Sequence, residues 1–512
     1  MLRINQVDLY LKKDLRYLIR DFSFVAGDRH NKIALIGEEG NGKSSLLKAI
    51  YKPELVQDYL EIKGEISSGG EVLAYLPQTV SEAKARKSTE EILIEEIGWE
   101  KLDFTELNRL MRDFELAADL ISAELKFAQL SGGEKIKYNL VIELLKEPSI
   151  LLLDEPSNDL DLESVLFLER FIKDSPLKII FISHDEKLLK NCADTIIHIE
   201  QLIHKTRPVH TVASLGYEAY IKERSRRIER QTRMAAKERE EYEAQMDRYR
   251  QIYSRVQHEL RTVSRQSPQV ARNLKDKMHS VKSMGRRFER EKEKLGQKPI
   301  VEAAIDLSFS PEARIHKSKA IVEYRAKELK VGSKVLSRNL SLDIFGPEKI
   351  CLIGANGSGK TCLIREIMRE LKAKDLQIGY MPQDYAEAMD FEQSPVEFLA
   401  RDYSKEENTK NRTYLGSLKF TAEEMLRPIG ELSGGQMAKL YFAKLILHQA
   451  EFLILDEPTR NLSPLSGPEI RAALRDFKGG ILAVSHDRAF IEEIFTDVYE
   501  LSESGLKAVE VN

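Results

Sequence analysis

The sequence predicts an α/β fold that occurs twice along the chain, with a long helical segment between the two copies. Four motifs recur in the same order: GEEGNGKS at 37–44 and GANGSGKT at 354–361, then LSGGE and LSGGQ, LLLDEP and LILDEP, and ISHD and VSHD. From the serine of the second motif onward the copies stay 302 positions apart, as expected of a duplicated domain. Between the copies, neither glycine nor proline occurs from Tyr217 to Ser267, which predicts an uninterrupted helix.

Length and charge indicate a globular protein that carries a basic segment. The 512 residues, of which 42% are hydrophobic, can bury two large cores. The net charge is only −4, but residues 217–298 hold 23 Lys and Arg against 13 Asp and Glu, so that the remainder carries −14. A basic segment on an acidic body favours a polyanionic partner.

Cysteine usage and hydropathy predict a cytoplasmic protein without membrane insertion. The three cysteines, Cys192, Cys351 and Cys362, show no CxxC spacing and suit a reducing compartment. The N-terminal MLRINQVDLYLKK lacks a long apolar core, and no run approaches the ~18 apolar residues of a spanning helix.

The two glycine-rich motifs predict phosphate-binding loops. Each follows an apolar run and opens a predicted helix, where backbone N–H groups can wrap a phosphate chain, a lysine adds charge and a hydroxyl can bind Mg²⁺. The residues predicted to bind nucleotide are Gly37, Gly40, Gly42, Lys43, Ser44 and Ser45 in the first loop and Gly354, Asn356, Gly357, Gly359, Lys360, Thr361 and Cys362 in the second.

The acidic motifs predict the catalytic edge of each domain. ILLL before Asp154 and FLIL before Asp456 indicate buried parallel strands, which deliver these carboxylates to the sheet edge where ligands bind. We expect Asp154 and Asp456 to hold Mg²⁺ with the loop hydroxyls, and the adjacent Glu155 and Glu457 to polarise an attacking water.

The ordered set of motifs, present twice, resembles the ATP-binding cassette ATPases over about three quarters of the chain. In that family the LSGGQ motif closes over the γ-phosphate bound by the opposite domain. The resemblance therefore implies a monomer with two composite ATP sites between its paired halves, both hydrolysing ATP with Mg²⁺. The first would combine the first phosphate loop with Ser433, Gly434 and Gly435, and the second would combine Lys360 with Ser131, Gly132 and Gly133.

The same resemblance implies further site residues. Gln78 and Gln383 would sense Mg²⁺ and water, and His184 and His486 would contact the γ-phosphate. Family members often stack adenine on an aromatic residue, for which Tyr10 is the first-half candidate, although a strand tyrosine can equally pack in the core. The second half has Val331 near the corresponding place.

The segment between the halves predicts a coiled-coil hairpin. Apolar residues recur every seventh position from Ile221 to Val263, and a second such series runs from Leu274 to Leu295 beyond the break SRQSPQ. The predicted fold class is therefore α/β: two P-loop ATP-binding cassette domains, 1–205 and 301–512, joined by a long antiparallel α-helical hairpin linker, 206–300, with its tip at about 262–272.

Positive charge is concentrated around the far end of this hairpin. From Arg255 to Arg287 nine Lys and Arg stand against two acids, which favours a phosphate-rich partner over a solvated spacer. The candidate RNA-binding residues are Arg261, Arg265, Arg272, Lys275, Lys277, Lys282, Arg286 and Arg287.

Tandem cassettes with a helical linker and no membrane span are similar to the ABC-F proteins. That resemblance implies binding at the ribosomal tRNA exit site, with the linker directed toward the peptidyl transferase centre, rRNA and P-site tRNA. Motif spacing predicts that the extra arm of some members is missing, since Gln78 to Ser131 spans 53 positions and Gln383 to Ser433 spans 50. This layout is shared by antibiotic-protection members and housekeeping relatives.

The alternative function is that of a tandem ATPase subunit of a membrane importer. No DNA partner is expected, because the cysteine-held zinc of DNA-repair cassettes is absent.

Overall fold

A computed structural model describes residues 1–27, 31–158, 160–202, 207–262, 268–294, 309, 316–371, 374, 376–402, 404–418, 420–460 and 462–509. These form two compact units, one of Met1–Tyr217 with Ala303–Asn512 and the other of Glu218–Glu302. Both predicted domain boundaries, near 205 and near 300, lie outside the described residues and stay predictions.

The first cassette consists of two sheets with helices around them. Its strands are β1 Arg3–Leu11, β2 Tyr17–Val25, β3 Lys32–Ile36, β4 Leu60–Ser67, β5 Leu73–Leu76, β6 Ile150–Asp154, β7 Lys178–Ile182, β8 Thr195–Gln201 and β9 Arg207–Ala213. Its helices are α1 Lys43–Tyr51, α2 Glu82–Arg86, α3 Thr89–Ile97, α4 Phe104–Asp113, α5 Gly132–Leu144, α6 Leu162–Asp174 and α7 Glu186–Cys192.

The second cassette repeats this order. Its strands are β10 Ala320–Val331, β11 Lys334–Phe345, β12 Lys349–Ile353, β13 Ile378–Met381, β14 Phe452–Asp456, β15 Gly480–Val484, β16 Asp497–Ser502 and β17 Gly505–Val509. The cassette helices, numbered after the two of the linker, are α10 Lys360–Leu371, α11 Pro395–Leu399, α12 Lys405–Ser417, α13 Gly434–Leu447, α14 Gly467–Asp476 and α15 Arg488–Ile494.

The six-stranded sheets of the two cassettes have the same topology. The first runs β5-β6-β7-β3-β8-β9 and the second β13-β14-β15-β12-β16-β17, with the last strand of each antiparallel. All residues of β6 and β14 are buried, in keeping with apolar runs covered on both faces. This confirms the predicted α/β class and places Asp154 and Asp456 at equivalent strand ends.

The extra residues between Lys43 and Gln78 form a strand. β4 pairs antiparallel with β1 and extends the sheet β2-β1-β4, whereas the described part of the second cassette has only β10-β11 at this place. The additional length of the first half is thus absorbed inside the domain.

The linker unit is a helical hairpin. Its helices are α8 Tyr217–Thr262, of 46 residues, and α9 Pro268–Lys294. At ~1.5 Å per residue α8 is about 69 Å long. The described part of α8 ends at Thr262, and the last five residues of the predicted helix, 263–267, lie outside the described residues.

Side-chain packing between the two helices follows the predicted seam. The ring of Tyr249 contacts that of Phe288 edge-on at 5.9 Å, and a Cβ on Gly285 would meet the Tyr249 hydroxyl at 2.5 Å. Val256 and Val281 are 1% and 4% exposed. Tyr249 lies 13 residues before the end of α8 and Phe288 lies 20 residues after the start of α9, at comparable distances from the segment that joins the helices, so the helices run antiparallel.

Candidate active site

Both phosphate loops wrap back onto their own lysine. Gly42 precedes α1 with φ +93°, a conformation that favours glycine, and a side chain there would press against Leu18. The ammonium of Lys43 donates to the carbonyls of Gly37 at 2.9 Å and Glu38 at 3.0 Å. The second loop repeats this, since Lys360 donates to Gly354 at 2.7 Å and Ala355 at 3.0 Å. Each loop therefore presents its lysine at the start of a helix.

The first acidic residue, Asp154, accepts two hydroxyl hydrogen bonds. Ser44 Oγ lies 2.8 Å from its Oδ1, and the Tyr75 hydroxyl lies 2.9 Å from its Oδ2. Burial raises the pKa of the Asp154 carboxyl, and the two hydroxyls partly offset this. Asp154 and Ser44, both predicted to hold Mg²⁺, thus lie within hydrogen-bond distance of each other, and Tyr75 is a further partner that the motifs do not reveal.

Glu155 is held from three sides. Its oxygens accept from Gln78 Nε2 at 2.8 Å and Asn158 Nδ2 at 2.6 Å, and lie 2.9 Å from His184 Nε2. Burial alone would raise the pKa of Glu155, but His184, Lys43 and Asn158 together lower it to about 2. Its backbone has φ +50°, as does that of Glu457, so both acids sit on a strained turn after their strands.

Both ring nitrogens of His184 have a partner. Nδ1 lies 2.7 Å from the carbonyl oxygen of Leu462, and Nε2 lies 2.9 Å from Glu155 Oε1. The ring is therefore fixed at both nitrogens, and one of its partners is the predicted catalytic carboxylate. Because Leu462 belongs to the second cassette, the contact also joins the two cassettes.

The second site has the same residues in a different electrostatic state. His486 Nε2 is 3.5 Å from Glu457 Oε1, and both ring nitrogens of His486 are buried without a hydrogen bond to any described residue. Burial and the neighbouring Asp456 raise the pKa of Glu457 to about 8. Burial is the main cause that lowers the pKa of His486 to about 4, and the positive charge of Lys360 contributes to the same shift. The two predicted catalytic pairs are therefore equivalent in position but not in charge.

The signature motifs open α5 and α13 in the same way. Ser131 and Ser433 are the N-caps, each in a capping box with the residue three positions on, Glu134 and Gln436. Gly434 and Gly435 start α13, as Gly132 and Gly133 start α5, so both helices present backbone N–H groups at these glycines.

The first phosphate loop meets the second signature helix directly. The backbone N–H of Gly435 donates to Glu39 Oε2 at 2.7 Å. Glu38 accepts from Ser463 and Ser466 at 2.8 Å each and pairs with Lys439 at 3.2 Å. The first phosphate loop and the second signature helix, the predicted members of the first composite site, thus lie together. Glu38 and Glu39, which the motifs did not single out, make the contacts between them.

A cavity of about 490 Å³ lies between the cassettes, beside the second phosphate loop. It is lined by Asn356, Gly357, Gln383, Glu457 and His486 of the second cassette and by Ser157, Asn158, Leu160, His184 and Asp185 of the first, among others. The charge of Asp161 acts on the pKa of both Lys360 and His486. Side chains of both cassettes therefore lie at this site as well.

The residues present suit Mg²⁺ bound together with phosphate. Both carboxylate oxygens of Asp456 are buried without a described partner at ordinary hydrogen-bond geometry, and the nearby Thr361 hydroxyl only partly offsets the effect of burial on its pKa. Among the described residues no cluster of three or more His, Cys, Asp or Glu could hold a metal alone. Mg²⁺ commonly takes one or two carboxylates, waters and substrate phosphates, which matches this donor set.

The adenine candidates differ in exposure. Tyr10 is 7% exposed, its ring lies 5.3 Å from that of Tyr17, and the Lys63 ammonium sits 5.0 Å from its centroid. This surrounding supports the packing alternative for Tyr10. Val331 is 53% exposed at the end of β10.

The basic hairpin residues face solvent. Those that the structure describes are exposed on α8 and α9: Arg261, Arg272, Lys275, Lys277, Lys282, Arg286 and Arg287. Arg265 lies outside the described residues. Arg261 lies near the end of the described part of α8, and Arg272, Lys275 and Lys277 lie near the start of α9, while their role in RNA binding stays a prediction.

Cysteine labelling gives a test of the second loop. Cys192 and Cys351 are buried, and burial raises the pKa of the Cys192 thiol to about 12, whereas Cys362, directly after Lys360 and Thr361, is partly accessible. We expect iodoacetamide to modify Cys362 first in the folded protein, with Mg·ATP slowing the reaction. Mass spectrometry after a short pulse measures this; preferential labelling of Cys192, or no ATP protection, would contradict it.

Among the described residues, no helix combines the length and apolar character needed to cross a bilayer.

Comparison with known proteins agrees with this geometry. Residues 22–158 and 337–460 match the family described as ABC transporter. The chain is 27% identical to human ATP-binding cassette sub-family F member 3 over 549 aligned positions, which span 99% of this chain and 72% of that protein. It is 30% identical to the ribosome protection protein VmlR of Bacillus subtilis (strain 168) over 488 positions, spanning 93% of this chain and 82% of that protein.

A solved structure supports the fold. The archaeal ribosome recycling factor, crystallised in complex with a ribosomal stalk protein, superposes with a TM-score of 0.60 and covers 98% of this chain and 90% of that one at 16% identity. The fold and the paired sites define an ATP-binding cassette ATPase. Together with the relatives, they show that the chain belongs to the ABC-F family, which confirms the resemblance drawn from the motifs.

Proposed function

We propose that this ATPase binds the ribosome and uses ATP to control a basic linker that contacts RNA. The observation that carries the proposal is the juxtaposition of the first phosphate loop and the second signature helix, through Glu39 and Gly435. An ATP site shared between two cassettes requires that the phosphate loop of one cassette contacts the signature helix of the other. Support for the ribosome comes from the family and from the relative whose name records ribosome protection.

Nucleotide binding in this proposal rests on the loops and the signature helices. Lys43 and Lys360 neutralise the phosphate chain, while backbone N–H groups of Gly435 and of Gly133 donate to the γ-phosphate from the opposite cassette. Mg²⁺ would neutralise charge on the phosphates, held by Ser44, Asp154 and Gln78 in one site and by Thr361, Asp456 and Gln383 in the other.

Hydrolysis would use the acid after each Mg²⁺ ligand. Glu155 and Glu457 accept the proton of the attacking water, and His184 and His486 face the γ-phosphate. Loss of the γ-phosphate removes the group that donors of both cassettes share, so the nucleotide-dependent contact between the halves is lost and the ribosome is released.

The finer features are part of the same proposal. Binding takes place at the tRNA exit site in the cytoplasm, and the hairpin points toward the peptidyl transferase centre, rRNA and P-site tRNA. Domain limits of 1–205, 206–300 and 301–512 and a monomeric chain complete it. The outcome would be rescue of stalled or antibiotic-bound ribosomes.

Purification from cells tests the partner class. A chromosomal affinity tag should recover ribosomal RNA and proteins, more so with ATP and both Glu155→Gln and Glu457→Gln present. Recovery of a membrane permease without ribosomal subunits would support the importer alternative and contradict the proposal.

Salt dependence tests the RNA contacts. Each phosphate neutralised by the hairpin contributes ~0.7 to 0.9 to the slope of log affinity against log salt concentration. Changing Arg272, Lys275 and Lys277 to Glu should therefore flatten the slope of ribosome binding by at least that amount for every phosphate that is no longer neutralised.

The matched control reverses Arg226, Arg230 and Arg233, which are exposed on the early part of α8. It should leave the slope close to that of the wild type. Equal effects of both triple variants would show that ribosome binding does not depend on where on the hairpin the positive charge lies. The hairpin would then be a solvated spacer.

A further inference from the structure

The two phosphate loops differ at the positions that face the other cassette. Where the second loop has Ala355 and Asn356, the first has Glu38 and Glu39. Acids are unexpected in a loop that is to hold a phosphate chain, because like charges repel. The contacts of these two acids therefore call for a role of their own.

Glu39 takes a hydrogen-bond donor that the proposed function gives to ATP. Gly435 is the second residue of α13, and its N–H has no partner within the helix. The positive end of a helix attracts anions, and the Glu39 carboxylate is the anion found there, 2.7 Å from the Gly435 nitrogen. Burial raises the pKa of Glu39, while this N–H and the charges of His184 and Lys43 counteract the rise.

Glu38 adds a second set of bonds across the same interface. Two serine hydroxyls, from Ser463 and Ser466, and the Lys439 ammonium surround its carboxylate. Burial alone would raise the pKa of Glu38, but Lys439 and the two serines lower it to about 2, so it is charged at neutral pH. Four polar groups of the second cassette are thus satisfied by two neighbouring residues of the first.

We propose that Glu38 and Glu39 are positioning residues that hold the first composite site closed without nucleotide, with the Glu39 carboxylate standing in for the γ-phosphate at Gly435. The first composite site then stays closed whether or not nucleotide is bound. ATP at the second site supplies the nucleotide-dependent closure. ATP entering the first site displaces Glu39 from Gly435. That the γ-phosphate is the group which displaces Glu39 rests on the proposed function, whereas closure without nucleotide does not.

Hydrogen exchange without nucleotide tests the closure. The variant Glu38→Ala/Glu39→Asn gives the first loop the residues of the second. Without ATP, exchange of a peptide covering 433–440 should become about tenfold faster than in the wild type, because a hydrogen bond to a charged group is lost. The equivalent peptide covering 131–138 should not change, and Mg·ATP should restore protection to the variant.

A binding measurement tests the competition with ATP. In a Lys360→Ala background, which disables the second loop, a fluorescent ATP analogue should bind the double variant about tenfold more tightly than the parent. Glu39→Asn alone keeps the Glu38 contacts and provides a second variant if the double change does not fold. Unchanged exchange at 433–440 together with equal or weaker nucleotide binding would overturn the proposal. Neither readout involves ribosomes, so failure of the RNA-binding function would not affect it.

Discussion

Replacing both Glu155 and Glu457 by Gln is expected to lower ATP turnover by about 10²–10⁴-fold while nucleotide binding persists. Glutamine keeps the size of the side chain but cannot accept a proton from water, which removes general-base assistance. The contacts of Lys43 and Lys360 with their loops do not involve these acids. Phosphate release under saturating ATP and equilibrium binding of a fluorescent analogue measure the two quantities.

Single variants and a matched control sharpen this result. Each single substitution should leave turnover at the other site, because the two acids belong to separate sites. Glu163→Gln, an exposed change in the first turn of α6, should have no effect on turnover. Wild-type turnover by the double variant would show that neither glutamate is the base.

Arg471→Ala is expected to destabilise the pairing of the cassettes strongly. Arg471 is 3% exposed, and it binds both oxygens of Glu186 in the other cassette at 2.8 and 2.9 Å and Glu493 at 3.1 Å. Removing one partner of a buried ion pair leaves an uncompensated charge and costs about 3–5 kcal/mol. Thermal unfolding and urea titration of the whole chain would record the loss.

Two further variants separate the ion pair from general effects. Arg233→Ala removes an arginine whose pair with Glu229 is 82% and 65% exposed, and it should barely shift the melting temperature. Replacing Arg471 and Glu186 together by Met should recover much of the stability, since the less accessible acid is then also removed and the remaining partner, Glu493, is 40% exposed to solvent. A double variant as unstable as the sum of the single changes would contradict this account.

The sequence predicted the features that are local in the chain. A strand, a glycine loop and a helix follow one another directly in the chain, so the loops at Lys43 and Lys360 could be placed from the motif alone. The heptad series likewise indicated the hairpin seam that Tyr249 and Phe288 form. In each case, residues close in sequence determine the structure.

Features that depend on residues far apart in the chain could not be predicted from the sequence. Nothing near β4 indicates that it pairs with β1, and the partners of Glu38 lie more than 400 positions away. Burial raises the pKa of both Glu155 and Glu457, but only at Glu155 is this outweighed by the hydrogen bond and charge of a histidine ring, that of His184. The only signal available was the pair of acids in GEEGNGKS, which departs from the second loop.

The most direct test of the central claim is pelleting of the Glu155→Gln/Glu457→Gln protein with 70S ribosomes through a sucrose cushion, with and without Mg·ATP. If ATP-dependent pairing of the cassettes directs the basic hairpin into RNA, the double variant pellets with ribosomes in ATP. It then remains in the supernatant without ATP, or when Arg272, Lys275 and Lys277 are also reversed. Equal pelleting in all three conditions, or none in any, would contradict the claim.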